Sequence, residues 1–211
     1  MREEPVIQDL GAPEGCVSGE LSAELRRRLP ARDGRALAAF FDCYFDRIYG
    51  YVRRLVQDDS EAEDLTQEVF LHVQRAIHTY DPGRELRPWV FTIATNKVRD
   101  FWRSRRMRDA SAEDGEDGPG LVAQVVSREL RAEESLSRAE LERRVRAAID
   151  ALPEGMRMTL LLRVYEGLPF EDIARILERT EVAVRKRYSR ALEVLRESLG
   201  AVWRADAEES R

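Results

Sequence analysis

At 211 residues, 43% hydrophobic and 36% charged, with Arg far outnumbering Lys, the chain has room for one large domain or two small ones with heavily charged surfaces. No apolar run approaches the ~20 residues needed to cross a bilayer. The start MREEPVIQDLGAPEGCVSGE lacks the basic-then-apolar order of a secretory signal, so no membrane role and a cytoplasmic location are expected.

The net charge of −5 is unexpected for a nucleic-acid binder, yet its distribution matters more than its sum. From Arg99 to Arg108 the sequence RDFWRSRRMR carries five Arg against one Asp, and from Arg179 to Arg196 six basic residues face two Glu. Between them DASAEDGEDGPG holds five acidic residues and no basic one, so the acid lies away from the two basic stretches. Cys16 and Cys43, one in an expected tail and one inside an apolar helix pattern, support neither a disulfide framework nor a cysteine zinc site; reduced thiols are expected.

Residues 1–33 read as a flexible extension with one short helix near Leu21 to Leu29. A long amphipathic helix follows, its stripe formed by Leu37, Phe40, Phe41, Tyr44, Phe45, Ile48, Val52 and Leu55. A second begins after Asp58-Asp59, with Ser60 and Glu63 spaced as a capping box and Ala62, Leu65, Val69, Val73 and Ile77 as its apolar stripe. Pro82 and Gly83 break the chain, and Pro88 suits the first turn of a third helix, WVFTIATNKVRDFWRSRR. These helices make a first module, residues 34–108.

Residues 109–136 read as an acidic linker, whose roughly 30 residues reach on the order of 100 Å when extended. The second module, 137–200, opens with Leu141, Val145, Ala148, Ile149 and Leu152 in helical register, then Pro153 and a helix through Tyr165 that Gly167 ends. Pro169 starts a short helix, FEDIARILE, and after Arg179-Thr180 a last helix runs from Glu181 to about Leu199, leaving 201–211 as a tail. With no strand alternation, the class is all-α, two small helical domains.

Two short helices of about eight and eighteen residues joined by a tight turn match the helix-turn-helix, whose second helix enters the major groove. Ile173, Ala174 and Leu177 face inward from the first, Val184, Tyr188, Ala191, Leu192 and Leu195 from the second, and Ala174 is small enough for a close crossing. Thr180 is placed to cap the recognition helix and touch a phosphate. Glu181, Val182, Arg185, Lys186, Ser189 and Arg190 lie outside the stripe, with Arg187 at its border. A solvated basic face on an ordinary bundle helix is the bland alternative.

The stretches EAEDLTQEVFLHVQRAI and TYDPGRELRPWVFTIATNKVRDFWRSRR resemble region 2 of the extracytoplasmic-function (ECF) group of bacterial sigma factors. LPEGMRMTLLLRVYEGLPFEDIARILERTEVAVRKRYSRALEVLR resembles region 4 of the same group, in the family's order. The resemblance implies a factor that binds rather than catalyses and needs no cofactor or metal. It docks on core RNA polymerase, at the clamp and flap region, and directs it to promoter DNA, with an anti-sigma protein as a further implied partner.

Carried over residue by residue, the resemblance implies core polymerase docking by Asp64, Gln67 and Glu68, which the inward turn of Leu65 and Val69 leaves on other faces. It also implies that the following loop and helix open the −10 element. Strand separation needs aromatic platforms beside cations, which Tyr80, Arg84, Arg87, Trp89, Asn96, Lys97, Arg99, Asp100 and Arg103 supply. Asn96 stands out because an amide within TIATNKVRDF has little use in a core and suits a base edge. For Trp89, Phe91, Phe101 and Trp102, packing is the larger expectation. Thr180, Glu181, Arg185, Lys186, Arg187 and Arg190 are the −35 set, with Arg185 or Arg187 able to fork onto guanine.

The sequence departs from the family's pattern at Glu178, where the turn often has Gly, and at Val182 and Ala183. Gln74 stands where an aromatic residue is common. Three rival classes predict different behaviour. An enzyme would use His72 and His78, but six residues apart they do not share a helix face. A helix-turn-helix regulator would bind a palindromic operator without polymerase. A degenerate sigma-like adaptor would bind polymerase strongly and DNA weakly.

Overall fold

The computed structural model describes residues 15–17, 19–112 and 138–209. After a two-residue antiparallel hairpin, β1 (Cys16–Val17) and β2 (Glu20–Leu21), eight helices follow: α1 (Ala23–Arg28), α2 (Gly34–Val56), α3 (Asp59–Ala76), α4 (Leu86–Ala112), α5 (Arg138–Asp150), α6 (Glu154–Val164), α7 (Phe170–Leu177) and α8 (Glu181–Glu209). The all-α expectation holds, the hairpin being the one addition among the described residues. Two compact units divide the chain, Met1–Arg53 with Asp58–Lys97 and Arg54–Gln57 with Val98–Arg211.

In the first unit the stripes of α2, α3 and α4 meet around Tyr44, Ile48, Val52, Leu65, Val69, Val73, Leu86, Val90 and Phe91, all buried. Each such side chain contributes about 1.5–3 kcal/mol relative to exposure. Inside this core the Tyr51 hydroxyl lies 2.9 Å from Thr95 Oγ1, and the Phe91 ring meets Tyr51 edge-on at 5.3 Å. A buried polar pair of this kind fixes the rotation of α4, because turning the helix would strand both hydroxyls.

The helix starts follow local chemistry. The carboxylate of Asp58, not the expected Ser60–Glu63 box, caps α3 by accepting from Glu61 N–H at 2.9 Å. Asp33 Oδ1 accepts from Ala36 N–H at 2.9 Å at the start of α2. The expectation that residues up to 33 form a flexible extension fails for 15–17 and 19–33: α1 and a following 3-10 turn bury Leu25 and Leu29 against the helices. Leu21, Leu25 and Leu29, three leucines at four-residue steps and all buried, are too short a pattern to separate a docked segment from a solvated one. Residues 1–14 lie outside the described residues, as does most of the expected linker, whose first residues extend α4 to Ala112.

Cys16 and Cys43 form a disulfide, their Cα atoms 5.8 Å apart. This corrects the expectation of two reduced, unrelated thiols. The hairpin folds back onto α2, and that return crosses 27 residues with no local pattern to announce it.

In the second unit α8 packs on α5, α6 and α7 around Leu152, Leu160, Leu161, Leu162, Ile173, Ile176, Leu177, Val184 and Ala191. Gly167 takes φ of 65° as α6 ends, a left-handed value open to glycine at little cost. Glu178 adopts φ of 53° at the end of α7. Its N–H donates to Arg175 O at 3.2 Å while Arg179 N–H donates to Ala174 O at 2.9 Å, the pairing of a Schellman ending. The turn thus keeps the shape that glycine would give, at the steric cost of a side chain.

Candidate docking and nucleic-acid surfaces

On α3, Leu65 and Val69 are buried, whereas Asp64, Gln67, Glu68 and Leu71 are exposed, as the helical register requires. Beside them α2 presents what its pattern concealed. Phe41 and Phe45, expected in the core stripe, are 44% and 36% exposed. Their rings lie 4.9 and 5.9 Å from that of Phe70 on α3. The three rings form an apolar surface next to the polar residues of α3. Asp42 and Asp46, also exposed, flank the rings on α2.

The loop before α4 is held by its own side chains. Asp81 Oδ1 accepts from Gly83 N–H at 2.9 Å, and Arg84 lies 3.5 Å from the same carboxylate. Tyr80, expected as a platform for DNA, is 3% exposed and donates its hydroxyl to Arg84 O at 2.6 Å. Tyr80 therefore shapes the loop from beneath and presents no open face. Burial pushes its hydroxyl up to about 12, an effect that Arg26 opposes and Glu85 and Asp81 reinforce. Trp89, half-buried, lies 5.4 Å from the Tyr80 ring.

Along α4 the buried Ala94 and Thr95 leave Asn96 exposed. Asn96, Asp100 and Arg103 follow at four- and three-residue steps and so share a face. Arg103 pairs with Asp100 at 2.7 Å, and Arg99 is half-buried at the flank. Lys97 Nζ reaches Glu68 Oε2 at 3.0 Å. Arg87 at the start of α4 is paired with the carboxylate of Glu20 from the hairpin, a contact no periodicity could signal.

In the second unit the Thr180 hydroxyl accepts from Ala183 N–H at 3.3 Å, capping α8 as expected. Arg185, Lys186, Ser189 and Arg190 are exposed on one arc, with Val182 beside them at 76% exposure. Arg187 differs. Its guanidinium lies over Gly155 at the start of α6, so close that a Cβ there would sit 3.2 Å from Nη1. It faces its own bundle and leaves the arc to the other three cations.

Arg185 is held on two sides: its Nε donates to Glu181 Oε1 at 2.8 Å, and its guanidinium lies 4.5 Å from the Phe170 ring centre. Phe170 also carries Arg163 at 4.7 Å and meets Tyr188 edge-on at 5.4 Å. Sequence reading missed Phe170 as a positioning residue; the only cue was an aromatic directly after Pro169. Among the described residues no cluster of three or more His, Cys, Asp or Glu is placed to hold a metal ion, and no helix is long and apolar enough to cross a membrane.

Comparison with known proteins places both units. The Sigma-70 region 2 family model matches residues 40–108, and that of Sigma-70, region 4 matches 142–195. The chain is 32% identical to the RNA polymerase sigma-H factor of Pseudomonas aeruginosa over 87% of its own length and 96% of that protein. It is 30% identical to the ECF RNA polymerase sigma factor SigW of Bacillus subtilis, over 79% of this chain and 90% of the relative. Among solved structures, CnrH in complex with the cytosolic domain of CnrY shares the fold with a TM-score of 0.61 at 23% identity, covering 85% of this chain and 97% of that one.

Proposed function

Because the chain belongs to the ECF group of the sigma-70 family and is a sigma factor acting in transcription initiation, we propose a division of labour among its surfaces. Asp64, Gln67 and Glu68 dock on the clamp of core polymerase, with Phe41, Phe45 and Phe70 as the apolar part of the same face. Arg84, Arg87, Trp89, Asn96, Lys97, Arg99, Asp100 and Arg103 hold the melted −10 strand. Tyr80 supports the loop. Thr180, Arg185, Lys186 and Arg190 meet the −35 duplex near the polymerase flap, Glu181 orients Arg185, and Arg187 braces α8.

The observation that carries this reading is the α3 face. A helix-turn-helix regulator working without polymerase has no use for a ridge of outward carboxylate and amide groups beside three partly exposed phenylalanine rings. Such a ridge offers hydrogen bonds and a nonpolar anchor to a basic amphipathic helix. The protein acts in the cytoplasm by binding alone, with polymerase forming the phosphodiester bonds, and an anti-sigma protein controls access to these surfaces.

Run-off transcription with purified core polymerase, on the DNA upstream of the protein's own operon, tests the proposal. A discrete transcript that depends on the protein is expected, and Asp64→Arg should abolish it by weakening association with core polymerase. Specific binding to a palindromic site with no affinity for core polymerase would replace this reading with the regulator.

A further inference from the structure

Val182 is the second residue of α8 and, at 76% exposure, the most exposed large apolar side chain among the described residues. Packing gives no reason for it. Val184, two residues on, is fully buried and anchors the same turn, whereas Val182 stands out in solvent. A β-branched side chain also favours a helix less than alanine does, so an exposed valine at this position serves stability poorly.

Single apolar side chains are scattered over most protein surfaces, but the surroundings of this one set it apart. Val182, Arg185, Lys186, Ser189 and Arg190 are all exposed and keep the i, i+3, i+4, i+7, i+8 spacing of one helix face. Val182 is thus the apolar N-terminal end of a face with three cations, and such a face attracts a polyanion. Its first turn is ordered by the Thr180 hydroxyl, which accepts from Ala183 N–H at 3.3 Å. One turn on, Arg185 is held by Glu181 and the Phe170 ring, so the offset between Val182 and the guanidinium is set.

The first residues of a recognition helix are those that reach base edges in the major groove. Of the four bases only thymine presents a methyl group there, at C5. Valine has two methyl groups to lay against it and no polar atom with which to read anything else. A cytosine in that place lacks the methyl group, and a purine sets N7 against the apolar side chain, an acceptor stripped of water without a partner.

We propose that Val182 is a specificity-determining residue that reads the C5 methyl group of one thymine in the −35 element. The inference rests on the reading of α8 as the −35 helix. Three residues of helix rise about 4.5 Å and base pairs stack about 3.4 Å apart. The thymine therefore lies within one or two base pairs of the guanine that Arg185 takes.

The test deletes methyl groups from the DNA one at a time. Holoenzyme assembled from core polymerase and the full chain, wild type or Val182→Ala, binds the promoter upstream of the protein's own operon. Each −35 thymine is replaced in turn by deoxyuridine, which keeps the base pairing and loses only the methyl group. At one thymine the wild-type affinity should fall about fourfold, the worth of one buried methyl group. Val182→Ala should lose about as much on unmodified DNA and show no further loss with deoxyuridine at that position, so the two changes are not additive. Every other thymine should respond alike in both forms, and the melting temperature of Val182→Ala should not fall.

If no thymine responds in the wild type, or if Val182→Ala keeps the full response at every one, the methyl contact is overturned, while Arg185→Ala and Lys186→Ala still weaken −35 binding. If Arg185→Ala and Lys186→Ala leave −35 binding intact as well, α8 is not the −35 helix, and the inference falls together with that reading.

Discussion

Lys97 on α4 holds its ammonium 3.0 Å from the Glu68 carboxylate on α3, so one ion pair joins a residue proposed for promoter DNA to a residue proposed for polymerase. Sequence reading assigned the two to separate partners. Glu68→Gln is expected to weaken core polymerase binding and to strengthen single-stranded DNA binding through the released Lys97, each by about two- to fivefold. Fluorescence titrations with core polymerase and with a labelled oligonucleotide measure both. Changes in the same direction would show that the pair does not couple the two surfaces.

Asn96 and Arg185 sit in different units and should fail at different steps. Asn96→Ala is expected to impair open-complex formation while leaving duplex binding nearly unchanged. Arg185→Ala should cost about 1–3 kcal/mol of −35 binding, the worth of a forked contact to guanine. Gel-shift on −35 duplex and permanganate footprinting of the opened strand separate the steps, and equal effects on both would contradict the assignment.

Phe170 stacks under Arg185 at 4.5 Å. Phe170→Leu keeps an apolar side chain there but removes the ring, and should lower −35 affinity by about 0.5–1 kcal/mol with the melting temperature little changed. Unchanged affinity would mean that Glu181 alone orients the guanidinium.

Glu178 occupies a left-handed backbone position at φ of 53°. Glu178→Gly is expected to stabilise the second unit by about 1 kcal/mol in denaturant unfolding, and Glu178→Ala, which removes the charge but not the strain, should stabilise it less. Equal gains would mean that charge, not backbone strain, is what the position costs.

The buried hydroxyls of Tyr80 and Tyr44 predict an alkaline limit. Burial raises Tyr80 from its ordinary 10 to about 12, and raises Tyr44 in the same direction with Arg47 opposing. Between pH 10 and the raised value the unfolded chain has lost the proton that the folded chain keeps, so stability falls as pH rises. The contribution is fully present below pH 10. Tyr44→Phe with Tyr80→Phe should flatten the fall in thermal stability above pH 10, and a slope unchanged by both would assign it to other groups.

The helices of both units were legible because each carries its own three- and four-residue rhythm of apolar side chains, a local property. Phe41 and Phe45 show its limit. They continue the stripe of α2 in register, yet the stripe is wider than the surface its partners cover, so two of its rings face outward. Arg187 and Tyr80 differ in the other direction, since the family resemblance marked them for DNA and packing turned one onto Gly155 and the other beneath a loop.

By itself the sequence determined the all-α class, the helix order, the cap at Thr180 and the family, all of which depend on neighbours a few residues apart or on runs of adjacent residues. Only the tertiary structure decided that Cys16 meets Cys43, that Glu20 reaches Arg87, that Glu68 holds Lys97 and that Phe170 carries Arg185. Those pairs form between separate elements brought together by burial of the stripes, and no period along the chain encodes them.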